Sequence, residues 1–177
     1  LASLIAKATN SKFGFVTEGA NTIGACLTGI TPHRGMNGAK RSKPGLNTDR
    51  IKECDSKLTL LWNSEPNADI PNFSDKKEND ASVIAFSSHF TDNFSNTADL
   101  MLPIGTFAET SGTFINCEGS WQSFNGVSSP VHEARPGWKI LTVIGDLLKL
   151  DDFDFESSLD VLNELREKLG KTAASNN

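Results

Sequence analysis

Glu109, Thr110, Ser111 and Gly112, followed by Asn116, Cys117, Glu118 and Gly119, place two carboxylates, three hydroxyl or amide side chains and a thiol within eleven residues. Glu109, Thr110 and Gly112 can be read as a ligand pocket. They can also be read as a tight polar turn in which Glu109 satisfies backbone donors and Gly112 supplies an unusual dihedral. Asn116 and Glu118 invite a metal or acid–base reading, but no histidine or second acid stands at a fixed spacing from them. A second cluster lies upstream, where the Gly-rich stretch from His33 to Gly45 carries Arg34, Lys40, Arg41 and Lys43. Backbone amides beside Arg and Lys are the chemistry that cradles a phosphate, and a solvated loop is the alternative. The histidines His33, His89 and His132 are far apart and have no ligand spacing. Cys26, Cys54 and Cys117 are equally scattered. Three isolated cysteines make neither a disulfide framework nor the clustered thiolates of an iron–sulfur site.

The elements that must position these residues can be read from apolar patterning. Leu58-Thr59-Leu60-Leu61-Trp62, Val83-Ile84-Ala85-Phe86 and Leu100-Met101-Leu102 are near-continuous apolar runs. Such runs are expected of strands buried on both faces of a parallel sheet. Short polar segments separate them, with helices expected at about 74–80 (Ser74 as cap) and 91–97. This is βαβ patterning, and the fold class is α/β with a parallel sheet. Phe13-Gly14-Phe15-Val16 reads as a further short strand, Asn21 as the N-cap of a helix, and 29–47 as loop. Trp121-Gln122-Ser123-Phe124 reads as irregular strand and loop. Two helices follow. The first has Pro136 in its first turn and a stripe of Trp138, Leu141, Ile144 or Gly145, and Leu148. The second is capped by Ser157 with Asp160 three residues on, with a stripe of Leu159, Leu162, Leu165 (or Arg166) and Leu169. Asp151, Asp152, Asp154 and Glu156 read as a solvated connector between them. The organisation expected is an α/β unit over 1–119, a connector over 120–135, a helical segment over 136–170 and a frayed tail over 171–177.

Residues 1–57 hold nine Lys and Arg against four Asp and Glu, net +5, and the remainder holds eight against eighteen, net −10. Such asymmetry fits a chain whose two ends meet different surfaces. The basic cluster lacks the interleaved aromatics of a nucleic-acid footprint, so no nucleic-acid partner is expected. No apolar run approaches the ~20 residues of a membrane span, so no direct membrane insertion is expected. The first residues do not form a signal peptide. They also lack an initiating methionine, which leads us to expect a fragment of a longer protein.

The run from Ala98 through Pro103, Glu109, Gly112 and Asn116 to Gly119 resembles a segment of the molybdopterin oxidoreductase superfamily. Its nearest likeness there is the large iron–sulfur subunit of NADH:quinone oxidoreductase, respiratory complex I. Asn21-Thr22-Ile23-Gly24-Ala25, Pro32-His33-Arg34-Gly35, Gly45-Leu46-Asn47 and Asn63-Ser64-Glu65-Pro66-Asn67-Ala68-Asp69 continue the likeness. So do Trp121-Gln122-Ser123-Phe124 and Glu133-Ala134-Arg135-Pro136-Gly137-Trp138. Ser120 departs from the family, which usually has arginine there, and this weakens an anion site at that turn. The resemblance implies a parallel-sheet βαβ domain of the formate dehydrogenase type with C-terminal helices. It implies 4Fe-4S and 2Fe-2S clusters bound upstream in the parent subunit, none in this segment, and no catalytic or metal-binding residue here. It leaves Asn21, Gly24, His33, Arg34, Glu109 and Gly112 as vestiges of a pterin site. The partners implied are other peripheral-arm subunits, on the cytoplasmic or matrix face of the membrane. An excised parallel sheet is also expected to self-associate through an unpaired edge. A catalytic piece of a working pterin enzyme, such as a formate dehydrogenase or nitrate reductase, is the alternative that the resemblance leaves open.

Overall fold

The computed structural model describes residues 1–14, 16–51, 54–73 and 81–175, with side chains of the last helix described to Gly170. Helix α1 (Ala2–Thr9) is followed by α2 (Thr22–Thr28) and the one-turn α3 (Thr48–Ile51). Strands β1 (Leu58–Trp62) and β2 (Ser82–Ser87) come next, then α4 (Asp92–Thr97) and β3 (Leu100–Pro103). Strands β4 (Gly112–Ile115) and β5 (Trp121–Phe124) precede helices α5 (Gly137–Leu147) and α6 (Ser158–Ser175). The helix expected at 74–80 and residue 15 of the early strand lie outside the described residues.

The three apolar runs form the expected parallel sheet, ordered β1-β2-β3, with Leu60 beside Ile84 and Ile84 beside Leu100. Asp99 fastens its start, accepting a 2.7 Å hydrogen bond from the Val83 N–H while its own N–H donates to the Val83 carbonyl. One face carries Leu61, Val83, Ala85 and Met101 and is closed by Ile70, Phe73, Phe94 and Ala98. The other face corrects the expectation of two-sided burial. Leu58, Leu60 and Leu100 are about half exposed there, because no described element covers them. That face is closed only at its Trp62–Phe86 end. The two rings lie 5.1 Å apart and Gly137 brings the start of α5 against Trp62, where a Cβ would come within 2.7 Å of the indole.

Four further readings change. Phe13, Gly14 and Val16 form no strand, and Phe13 and Val16 are exposed, since the run has no sheet to join. Trp121–Phe124 is a regular strand, antiparallel to β4, with Gly112 opposite Phe124. In the helical segment, Leu141, Leu148 and Leu159 face outward. The inward positions of α5 include Trp138, Ile140, Thr142, Ile144 and Gly145, where Phe153 packs on the glycine, and those of α6 include Val161, Leu162, Leu165 and Leu169. Pro136 is the N-cap of α5 and lies one position before the first turn. Ser157 and Asp160 do form a reciprocal cap, with the Ser157 hydroxyl donating to Asp160 Oδ2 at 2.8 Å and receiving the Asp160 N–H at 3.2 Å. Helix α6 itself runs to Ser175.

Candidate functional site

Asn21 stands at the N-cap of α2, but its side chain makes no capping bond. Its Oδ1 reaches across to β4 and accepts the Ile115 N–H at 2.8 Å. Gly24 leaves the room for this. A Cβ there would sit 2.2 Å from Asn21 Oδ1, inside any tolerable contact. The pair therefore forms a seam between α2 and β4.

His33 and Arg34 lie in a loop folded on itself by the bridges Thr31↔Arg34 and Arg34↔Lys40. Their side chains are exposed. Arg41 is exposed but folds back on its own loop, its Nε donating to the Arg34 carbonyl at 2.8 Å and its Nη2 to the Gly29 carbonyl at 2.6 Å. The guanidinium with the geometry for a phosphate is thus spent on backbone acceptors.

Glu109 closes a capping box on the short 3-10 turn Phe107–Glu109. Its Oε2 accepts the Thr106 N–H at 2.8 Å and the Thr106 hydroxyl at 3.0 Å, and Oε1 accepts the Val131 N–H at 3.2 Å. The Thr106 N–H holds its carboxyl below the usual glutamate range; desolvation opposes it, and the Thr106 hydroxyl and the Val131 N–H add lesser help. A depressed carboxyl contributes stability that is present above its unfolded value, about 4.3, and is lost as the pH falls through the folded value. Glu109→Gln should therefore lower the thermal midpoint at neutral pH, with the gap to the parent closing as the pH falls below about 4. Circular dichroism melts across that range check this, and a gap that widens in acid contradicts it.

Gly112 corrects the expectation of an unusual dihedral, because its φ is not positive. It is small because the Phe124 ring lies over it, 2.9 Å from where a Cβ would stand. The positive φ in this hairpin belongs to Gly119, at 82°. Asn116 Oδ1 accepts the N–H groups of Glu118 and Ser120 and shapes the turn.

The six candidates do not converge on one cavity. Asn21 and Gly24 meet the β4–β5 hairpin, Glu109 meets the 126–131 loop, and His33 and Arg34 stand apart. A concave polar site absent from the candidate residues lies instead at the carboxyl ends of β1 and β2. It is a cavity of about 380 Å³ whose lining includes Asn63, Glu65, Asp69, Ser87, His89 and Thr91. Glu65 Oε1 accepts from the Thr91 hydroxyl and the Asn93 amide, both at 2.8 Å, and Asp69 Oδ2 accepts the Glu65 N–H at 2.7 Å. Asn63 and Asn67 take the left-handed conformation, φ 47° and 64°. The available signal was the Asn-x-Glu-Pro-x-x-Asp run directly after an apolar strand, where open α/β sheets place their ligand crevices.

Fold and sequence together define the class. The molybdopterin oxidoreductase family profile matches residues 5–147, and the chain belongs to that family. Within it, the chain is homologous to the large subunits of NADH:quinone oxidoreductase. It is 33% identical over 91 residues to an NADH-quinone oxidoreductase subunit of Rickettsia bellii, which is 51% of this chain and 13% of that protein. It is 31% identical over 131 residues to the mitochondrial NADH-ubiquinone oxidoreductase 78 kDa subunit of Candida albicans, 73% of this chain and 16% of that protein. An NADH-quinone oxidoreductase subunit of Shewanella oneidensis is 36% identical over 66 residues, 34% of this chain and 7% of that protein. The chain thus spans about a sixth or less of the length of these relatives.

A pterin nucleotide, which the family name implies, needs donors for its phosphates. The cavity at the strand ends offers the acceptors Glu65 and Asp69, and among the described residues no Lys or Arg lines it. Arg41 is committed elsewhere, and the thiols of Cys26, Cys54 and Cys117 sit on separate elements. Among the described residues, no group of three or more His, Cys, Asp or Glu could hold a metal ion. The side chains of this cavity do not fit that cofactor. Also among the described residues, no helix is long and apolar enough to cross a membrane.

Proposed function

We propose that this chain is an architectural, non-catalytic part of the large iron–sulfur subunit of a proton-translocating NADH:quinone oxidoreductase. The observation that carries this reading is the use made of the motif residues. Asn21, Gly24, Glu109 and Gly112 are consumed in joints between elements, and Arg41 in closing its own loop. Residues that would bind a ligand are here the fastenings of a domain. In this reading the 4Fe-4S and 2Fe-2S clusters that carry electrons from NADH to quinone are bound by other parts of the subunit. The domain lies peripherally on the cytoplasmic or matrix face, where other peripheral-arm subunits hold it. The half-exposed face of Leu58, Leu60 and Leu100 supports this, since a parallel sheet is ordinarily covered on both sides.

The competing reading, a piece of a working molybdopterin enzyme, is favoured by the family match alone. Purification of the tagged full-length parent from native membranes separates the two, with mass spectrometry of its companions and assays for molybdenum and pterin. Flavoprotein and quinone-module subunits without stoichiometric molybdenum are expected. Stoichiometric molybdenum and pterin without those subunits would overturn the proposal.

A further inference from the structure

Two Asn-Gly pairs occur in the chain, Asn37-Gly38 and Asn125-Gly126. An asparagine followed by glycine is open to an internal reaction. No Cβ screens the next backbone nitrogen from the side-chain carbonyl carbon, and the glycine backbone turns freely. The fold treats the two pairs differently.

Asn37 is half-buried, and both of its reacting groups are engaged. Its Nδ2 donates to the Leu169 carbonyl at 2.8 Å. The Gly38 N–H, which carries the attacking atom, donates to the Gly35 carbonyl at 3.1 Å. That turn also fixes Asn37 in the left-handed conformation, φ 51° and ψ 29°, which ring closure would have to change. Asn125 stands directly after β5, which ends at Phe124. Both Asn125 and Gly126 are exposed, and neither has a positive φ. Among the described residues nothing bonds the Asn125 side-chain amide. The Gly126 N–H reaches only the Ser111 hydroxyl oxygen, at 3.4 Å, beyond the usual range of about 2.7–3.2 Å.

We propose that Asn125 is a site of spontaneous deamidation and that Asn37, with the same pair of residues, is locked against it. The Gly126 nitrogen gives up its proton and bonds to Asn125 Cγ. The bond from Cγ to the amide nitrogen breaks, and ammonia leaves with that proton. Water then opens the five-membered imide at either carbonyl. One opening gives aspartate, and the other gives isoaspartate, in which the main chain runs through Cγ. No electron is transferred. Isoaspartate lengthens the main chain by one carbon just before Val127, whose N–H donates to the Ala108 carbonyl at 2.8 Å. Its free carboxylate is the group that isoaspartyl methyltransferases esterify from S-adenosylmethionine, so an exposed loop here becomes a substrate for that class of repair enzyme. The inference is independent of the complex to which the chain belongs.

Timed incubation of the tagged full-length parent at mildly alkaline pH tests it. Peptide mass spectrometry reads the exchange of NH for O at each asparagine, and enzymatic methyl esterification counts isoaspartate. In the native protein Asn125 should react at least about tenfold faster than Asn37, the factor imposed by a local opening that costs about 1.4 kcal/mol. In urea the two rates should converge, because both pairs then have the same chemistry and no fold to distinguish them. Asn125→Gln, which would have to close a slower six-membered ring, should remove the signal at that position and most of the methyl incorporation. Three results would each overturn the proposal: Asn37 reacting as fast as Asn125 in the native protein, Asn125 staying intact over a time in which the unfolded protein deamidates there, or methyl incorporation unchanged by Asn125→Gln.

Discussion

Replacing Phe73 with alanine should cost about 3–5 kcal/mol, the range for emptying a fully enclosed aromatic site. Phe73 is 1% exposed and stands over the covered face of the sheet, among Leu61, Val83, Ala85 and Phe94. No neighbour can collapse into the void cheaply. Val83 and Ala85 belong to the central strand, paired on both sides, and Phe94 is fixed in α4. The same residue anchors the loop that follows β1, since its N–H donates to Asn67 Oδ1 at 3.1 Å. Loss of the ring should therefore loosen the left-handed Asn67 and the Glu65–Asp69 ladder beside the strand ends, well before the sheet itself melts. Urea unfolding followed by far-ultraviolet circular dichroism gives the first quantity, and amide exchange at Glu65 and Asp69 gives the second. Phe73→Leu, which keeps most of the volume, should cost clearly less. Equal losses for the two, or a loss for alanine below about 1 kcal/mol, would mean that this crossover is not packed as described.

How much of this was legible in the sequence depends on whether a pattern is local. The strands β1, β2 and β3 announce themselves because each is a run of apolar residues bounded by polar ones. Their parallel pairing was legible because the runs are unbroken by polar alternation and the spacing between them leaves room for crossovers. The β4–β5 hairpin was half hidden. Gly112, Thr113 and Ser123 give it a polar, small-residue pattern, and its stability comes from the Phe114–Phe124 contact at 5.2 Å and from the Asn116 turn. The early run Phe13 to Val16 shows the converse, apolar residues with no sheet to enter. In α5 and α6 the period and most of the face were legible, Trp138, Ile144, Gly145, Leu162, Leu165 and Leu169 lying inward, but helical spacing alone cannot say that Gly145 receives Phe153 while Leu141, Leu148 and Leu159 stay exposed.

The candidate site divides in the same way. The sequence picks out Asn21, Gly24 and Glu109 as unusual, and they are. Their partners are out of its reach, since Ile115 lies 94 positions from Asn21 and Val131 lies 22 from Glu109. A residue chosen to bond a backbone N–H across the fold looks, in one dimension, like a residue chosen to bond a ligand. Structural fastening and ligand binding draw on the same donors and acceptors. Only the distance to the partner tells them apart.

Gly24 and Asn21 turn that distinction into a measurable coupling. Gly24→Ala places a methyl carbon 2.2 Å from Asn21 Oδ1 and 2.8 Å from its Cγ, so the amide must swing away. The Ile115 N–H then loses its acceptor inside a half-buried seam, at about 1–3 kcal/mol. Crowding costs about 1–3 kcal/mol more, against a gain of about 1 kcal/mol from alanine's better helix propensity. The net expectation is a loss of about 1–5 kcal/mol. Asn21→Ala alone orphans the same N–H and should cost about 1–3 kcal/mol. The combination decides the matter. The three atoms nearest the added methyl all belong to the Asn21 side chain, so alanine at position 21 removes the closest obstacle. Because φ at Gly24 is not positive, the backbone accepts it. In the Asn21→Ala background, Gly24→Ala should be neutral or stabilising by up to about 1 kcal/mol, a reversal of sign that appears as strong non-additivity in a double-mutant cycle. Additive losses would show that Gly24 serves something other than the reach of Asn21 to β4. A reversal would establish that this Asn-x-x-Gly motif works in this chain as a joint between helix and strand.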